Sequence, residues 1–219
     1  MILNLRKPKG MTSHDVVDRV RKITGERRVG HGGTLDPLAE GVLIVGVGRE
    51  STKKLESILK DTDKEYEATI VFGKTSTTDD SEGVITATGT KGSLSKIKVL
   101  LALKRFTGTI EQTPPAYSAV KISGKPAYKL AREGKRVELK KRKVTIKEAR
   151  LISFDPRPPV AKVQFIVSSG TYIRSLARDL GRYLKVGGYL KELTRTRVGN
   201  FKIEDSLSLD ELARTRPST

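Results

Sequence analysis

The sequence contains no cysteine and no tryptophan, and its only histidines are His14 and His31. Without thiols there are no disulfides and no thiolate chemistry. A zinc site on two histidines would need carboxylates as its remaining ligands, and no such spacing appears, so no metal is expected. No run of about 18 apolar residues occurs, which excludes a transmembrane helix. The opening Met1-Ile2-Leu3-Asn4-Leu5-Arg6-Lys7-Pro8 reads as a strand and turn without the organisation of a signal peptide, so the cytoplasm is the expected location. There is no complete Gly-x-x-x-x-Gly-Lys-Ser/Thr phosphate loop. Gly46-Val47-Gly48 lacks the third glycine of a dinucleotide fingerprint, and no Gly-x-Ser-x-Gly elbow is present.

Charge of one sign is what the chain has in excess. Lysine and arginine number 43 against 25 acidic residues, a net charge of +18 with a pI near 10.1 over 219 residues. Surface ion networks of heat-resistant proteins tend to balance in sign, whereas this imbalance suits a polyanionic partner whose counterions are released on binding. The length supports a sizeable core without disulfide staples.

Along the chain, residues 2–6 read as a strand. Ser13 is placed to cap a helix bearing Val16, Val17, Val20 and Ile23, which Gly25 ends. Val42–Val47 is a continuous apolar run, the pattern of a strand covered on both faces. Ser51 or Thr52 opens a helix to about residue 60. Residues 66–73, 84–88, 143–154 and 160–168 have strand composition, and 74–82 reads as a polar loop. Leu94, Ile97, Leu100, Leu101 and Leu103 suggest a helix face. Residues 112–125 form a long loop, 127–132 a short helix, 172–184 a helix and 208–213 a last short helix. Residues 189–198 fit helix or strand equally. Strands and helices mix without regular βαβ alternation, so the fold class is α+β, a mixed and mostly antiparallel central sheet flanked by helices, in one domain.

The densest chemistry lies in Gly30-His31-Gly32-Gly33-Thr34-Leu35-Asp36-Pro37-Leu38-Ala39-Glu40-Gly41. The glycines free the backbone and Pro37 fixes the segment after Asp36, an arrangement that holds one carboxylate in a set direction. Aspartate before proline is also a common turn starter. Arg174, at the end of a strand entering a helix, fits either a surface arginine or a fixed bidentate partner for a carboxylate or phosphate. Tyr66 fits a half-buried strand aromatic, or a platform for an unpaired base.

Gly30–Gly41 resembles the catalytic motif of pseudouridine synthases, and in detail that of the bacterial tRNA pseudouridine-55 synthase family, the TruB type. Other segments agree in order: Lys7-Pro8-Lys9-Gly10-Met11-Thr12-Ser13, Asp63-Lys64-Glu65-Tyr66 leading to Asp79-Asp80-Ser81-Glu82-Gly83, Pro114-Pro115-Ala116-Tyr117-Ser118-Ala119, and Gly170-Thr171-Tyr172-Ile173-Arg174-Ser175-Leu176. The resemblance implies the pseudouridine synthase fold and isomerisation of uridine 55 in the TΨC loop of tRNA. It makes Asp36 the essential aspartate, Arg174 the arginine that pairs with it and Tyr66 the residue stacked on the target base. His31 would help to extrude nucleotides, Lys64 is a basic residue beside the site, and Leu193 an apolar contact in the pocket. Lys7 and Asp80, in the matched segments, join the RNA-binding set. Residues from about 112 to 151 resemble an inserted thumb that folds over the T arm, its basic run including Lys140, Lys141 and Arg142. The family usually ends in a further small RNA-binding domain, which this chain is expected to lack. No cofactor, no membrane and no obligatory protein partner are implied, and a monomer is expected.

Overall fold

Apolar alternation and glycine punctuation divide the chain into thirteen strands and six helices among the described residues, which in this computed structural model are 1–89, 94–118, 120–122, 124–134, 137 and 139–215. In order these are β1 (Ile2–Lys7), α1 (Ser13–Thr24), β2 (Val29–Gly32), β3 (Ala39–Val47), α2 (Arg49–Leu59), β4 (Lys64–Phe72), β5 (Lys74–Ser76), β6 (Ile85–Ala87), α3 (Lys96–Phe106) and β7 (Gly108–Gln112). There follow β8 (Lys121–Ile122), β9 (Lys125–Pro126), α4 (Ala127–Arg132), β10 (Arg142–Pro156), β11 (Pro159–Val167), α5 (Ile173–Tyr183), β12 (Gly188–Val198), β13 (Phe201–Lys202) and α6 (Leu209–Thr215). The central sheet is mostly antiparallel, as the α+β pattern requires. By contact the chain falls into two compact units, Met1–Glu67 with Leu193–Thr219, and Ala68–Glu192.

In the first unit β1 and β2 both lie antiparallel to β3, while the end of β12 runs parallel to β3 with Leu193 opposite Ala39 and Arg195 opposite Gly41. The apolar run of β3 is covered on both sides, which is why it does not alternate with polar residues. Leu43 and Val45 pack with Val16, Val17 and Val20 of α1, and Val42 and Ile44 with Leu55 and Leu59 of α2.

The cap of α1 is Thr12, not Ser13. Thr12 Oγ1 accepts from the Asp15 amide and Asp15 returns a bond to the Thr12 amide, a reciprocal box that needs an acid at the third helical position. Ser13, one residue on, is left to turn inward. Gly25 ends the helix in the left-handed conformation, as expected. α2 begins at Arg49 rather than Ser51, because Gly48 leads directly into it.

In the second unit β10 and β11 form a long antiparallel pair, and β7 lies on the other side of β10. Ala161, Val163, Phe165 and Val167 alternate inward along β11. α5 buries Ile173, Leu176, Ala177 and Leu180, and α3 buries Val99, Ala102 and Leu103. Ile97, Leu100 and Leu101 are exposed, contrary to the helix face read from the sequence. A nearly continuous apolar stretch carries no phase information, so the choice of face fell to packing. The stretch 74–82 starts with the short strand β5, paired with β6, and residues 189–198 are strand rather than helix.

Candidate active site

Both ends of the glycine-rich motif are strand rather than loop. β2 carries Gly30, His31 and Gly32, and Ala39–Gly41 already belong to β3. What remains is a short loop, residues 33–38, with Asp36 half-buried near its tip. The Ala39 amide donates to the Asp36 carbonyl at 3.1 Å, closing a turn with Pro37 at its second position, where the ring presets φ. Asp36 is thus a turn residue by its backbone.

The loop is held from three directions, by two side chains and one backbone amide. Ser13 Oγ donates to the Leu35 carbonyl and accepts from the Leu35 amide, each at 2.9 Å, within the core. The Gly10 amide donates to the Pro37 carbonyl at 2.8 Å. Arg195, only 1% exposed, donates from Nε to the Val42 carbonyl at 2.7 Å and from Nη2 to the Gly33 carbonyl at 2.8 Å. Gly41 makes this possible: its φ is 106°, and a Cβ there would stand 2.2 Å from the Arg195 carbonyl oxygen. Only glycine lets β12 come this close.

Lys7 is placed differently from its expected RNA-binding role. Its side chain is fully buried and its ammonium donates to the carbonyls of Pro8, Met11 and Pro37. A buried ammonium must satisfy its protons internally, so Lys7 braces the turn after β1 and does not face a phosphate.

His31 lies opposite Val45 in the β2–β3 pair, and its Nδ1 is buried without a hydrogen-bond partner. Burial, then the charges of His14 and Arg195, hold the imidazole below its usual pKa. It is a neutral group at pH 7. Lys64 opens β4. Burial, with Arg195 adding to it, pushes its ammonium down to about 8. A Cβ at Gly33 would lie 3.5 Å from Arg195 Nη1 and 3.9 Å from Lys64 Nζ, so two cations flank the start of the Asp36 loop. Tyr66 is buried on β4, and Leu193 is buried on β12 opposite the residue where the loop ends. The first unit thus brings together Asp36, His31, Lys64 and Leu193 around one strand pair.

In the second unit Arg174 and Asp80 meet at the start of α5. Arg174 Nη1 lies 3.1 Å from Asp80 Oδ2, and both side chains are buried. Its other nitrogen, Nη2, donates to the Tyr117 carbonyl at 3.0 Å. Asp80 also accepts from the Thr78 hydroxyl and, at 3.0 Å, from the Glu82 amide. Asp80 was expected to bind RNA; its carboxylate instead sits inside the protein and orients Arg174. Next to it Arg178 bridges Asp79 and Asp179 at 2.8 Å each, and burial keeps the Asp79 carboxyl above its usual pKa despite that partner.

Gln112, at the end of β7, pins the helix entrance. Its Nε2 donates to the Tyr172 carbonyl at 3.1 Å, and its Oε1 accepts the Tyr172 amide at 2.8 Å. Arg142, expected in the basic run, has its guanidinium 6.0 Å from the centroid of the Tyr172 ring. Lys140 is exposed, as is Lys141, which lies 3.7 Å from Glu111. Of the rest of that run, residues 135, 136 and 138 lie outside the described residues. From Arg142 onward the stretch resembling a thumb is strand β10.

Sequence reasoning missed Arg195, Ser13 as a brace, and Gln112. Arg195 gave only a weak signal, an alternating Thr-Arg-Thr-Arg segment that suited a strand as well as a helix. Its partners are backbone carbonyls, which no sequence pattern marks.

Known proteins share this chain's sequence and fold. Residues 21–173 match the family description "TruB family pseudouridylate synthase (N terminal domain)", and residues 174–216 match "tRNA pseudouridylate synthase B C-terminal domain". A protein of Thermobifida fusca named tRNA pseudouridine synthase B is 50% identical over 213 residues, covering 94% of this chain and 72% of its own length. One of the same name from Symbiobacterium thermophilum is 48% identical, with 97% and 71% covered. Among solved structures, a chain of a Cbf5-Nop10-Gar1 complex is 32% identical with a TM-score of 0.75, covering 97% of this chain. This chain spans about half of that one, 53%. Both the matched domain and the extent of identity lead to one assignment: this chain belongs to the TruB family of pseudouridylate synthases.

Proposed function

We propose that the protein isomerises uridine to pseudouridine in tRNA, at position 55 of the TΨC loop, with Asp36 as the reacting carboxylate. The observation that carries this reading is the Asp36 turn, half-buried and tied to the protein at Gly33, Leu35, Pro37 and Val42. A loop braced so heavily around one acid serves a reaction that needs a set carboxylate direction.

A uridine inside a folded loop is unreachable, so it must first be extruded, at a cost of a few kcal/mol. Tyr66 is the stacking surface for the extruded base, His31 a neutral ring that replaces it in the RNA, and Leu193 an apolar wall. Arg174 supplies the cation for the reacting aspartate, in the orientation that Asp80 gives it, and Lys64 adds positive charge. The ionised Asp36 either attacks the nucleotide or removes a sugar proton. On both routes the bond between C1′ and N1 breaks, the uracil turns, and C5 bonds to C1′. The C5 hydrogen leaves as a proton and N1, freed from the sugar, takes one up, so the reaction is an isomerisation that balances without a cofactor.

Lys140, Lys141 and Arg142, with the stretch from about 112 to 151, serve as the basic thumb on the T arm. Phosphate contacts of this kind supply affinity that falls steeply with salt. The protein acts as a monomer on its tRNA in the cytoplasm. No helix among the described residues is long and apolar enough to cross a membrane.

The test is tritium release from tRNA transcript labelled at uridine C5. One tritium per tRNA is expected with the wild-type chain. Asp36→Asn should abolish release and keep tRNA affinity within about threefold, since affinity rests on the basic contacts. Tight binding without release by the wild-type chain would make this a protein that only holds RNA.

A further inference from the structure

We propose that Arg195 and Ser13 are positioning residues for the reaction, acting on Asp36 through the backbone of its loop. This role rests on the reading of Asp36 as the reacting carboxylate, and extends it to groups that touch neither substrate nor Asp36 itself in that scheme.

The Asp36 loop leaves β2 after Gly32 and enters β3 at Ala39. Arg195 ties Gly33, the first residue of the loop, to Val42, three residues into β3, from a side chain that is itself immobilised by burial. Its two bonds diverge from one planar guanidinium. A lysine, with a single nitrogen, cannot span both carbonyls in the same way. Ser13 holds the segment between them. Its hydroxyl takes both the amide and the carbonyl of Leu35, the residue directly before Asp36.

Hydrogen bonds to a charged donor are stronger than neutral ones, so the guanidinium is a firm anchor. In the connection before β2, the side chains that bond the backbone, Arg21 to the Val29 carbonyl and Glu26 to the Arg28 amide, are partly exposed, whereas Ser13 and Arg195 act from within the core. Both clamps converge on the short loop that carries Asp36, to which Lys7 adds a longer bond, 3.5 Å, at the Pro37 carbonyl. An error of about 1 Å in a reacting group can cost on the order of a hundredfold in rate.

Arg195→Lys, Ser13→Ala and Asp36→Asn are compared with the wild type for single-turnover tritium release, tRNA dissociation constant and melting temperature. Arg195→Lys and Ser13→Ala should each slow the chemical step by roughly 10- to 100-fold while the dissociation constant changes by less than about threefold. A residue that only supports the fold would lower the melting temperature, leaving the rate of the folded fraction unchanged. That result overturns the proposal, as does a loss of rate matched by an equal loss of tRNA affinity. Where Arg195→Lys does not fold, Ser13→Ala decides: its full single-turnover rate refutes the positioning role. The Asp36→Asn arm separates the two failures. An inactive Asp36→Asn beside full-rate clamp variants overturns the clamp alone, whereas an active Asp36→Asn overturns the reading of Asp36 and the clamp with it.

Discussion

Gly41→Ala is the sharpest probe of how the Asp36 loop is supported. The backbone at Gly41 has φ of 106°, and an added Cβ would lie 2.2 Å from the Arg195 carbonyl oxygen and 2.9 Å from its nitrogen. Both neighbours are backbone atoms, so no side chain can swing away. Forcing an L-residue into positive φ costs about 1–2 kcal/mol. Overpacking against a fixed strand adds about 1–3 kcal/mol. A combined loss of about 3 kcal/mol is expected, equivalent to roughly 6–12 °C in melting temperature for a chain of this size. Gly10→Ala is the internal control, since Gly10 has φ of 88° but a Cβ added there would meet nothing within 4 Å. It should show only the conformational part, about 1–2 kcal/mol. Thermal and guanidinium unfolding of the two variants at pH 7 give the comparison. Equal losses in both would refute the close approach of β12 as the reason for glycine at 41.

Other outcomes follow from the same geometry. Asp80→Asn removes the buried carboxylate charge facing Arg174 and should cost about 3 kcal/mol in urea unfolding; a loss below about 1 kcal/mol contradicts the buried pair. Gln112→Leu removes two bonds to the Tyr172 backbone, about 2 kcal/mol in all, and should speed hydrogen exchange at the Tyr172 amide; unchanged exchange refutes the lock. For Lys64, a folded pKa of about 8 against an ordinary 10.5 means the buried charge opposes folding, by about 3 kcal/mol while both states are protonated. That cost is present in full below pH 8, fades between pH 8 and 10.5 as the folded state gives up its proton first, and is gone above. Lys64→Met should therefore be stabilising at pH 7, with a gain that shrinks toward pH 10; a gain independent of pH refutes the assignment.

The strand-and-helix outline was legible in the sequence wherever one periodicity dominated. β3 read correctly because its apolar run is bounded by glycines, and α5 because its apolar residues recur at helical spacing. α3 misled because its apolar residues outnumber the positions that one face can bury. The candidate site divided along the same line. Asp36 stood out through glycine, proline and aspartate in one short span, all residues whose backbone demands are local. Arg195 gave no more than a weak signal, since its role is defined by Gly33 and Val42, distant in sequence and contacted at carbonyls that every residue possesses. Ser13 was singled out for the wrong reason. Either Thr12 or Ser13 could cap α1, and Asp15 settled the matter in favour of Thr12 by completing the box.

Gln112 and Arg142 face each other across β7 and β10. The chain therefore departs from this sheet and comes back to it at one rung, with residues 113–141 as an excursion between. Once two roots already touch, lengthening what lies between them is inexpensive, about 0.6 kcal/mol for each doubling. The excursion is in this sense a module. Its length and charge can change without moving that rung, while the lock of Gln112 on Tyr172 keeps the start of α5 in place behind it. The excursion and the helix that carries Arg174 are attached to the same rung of the sheet and yet can change independently.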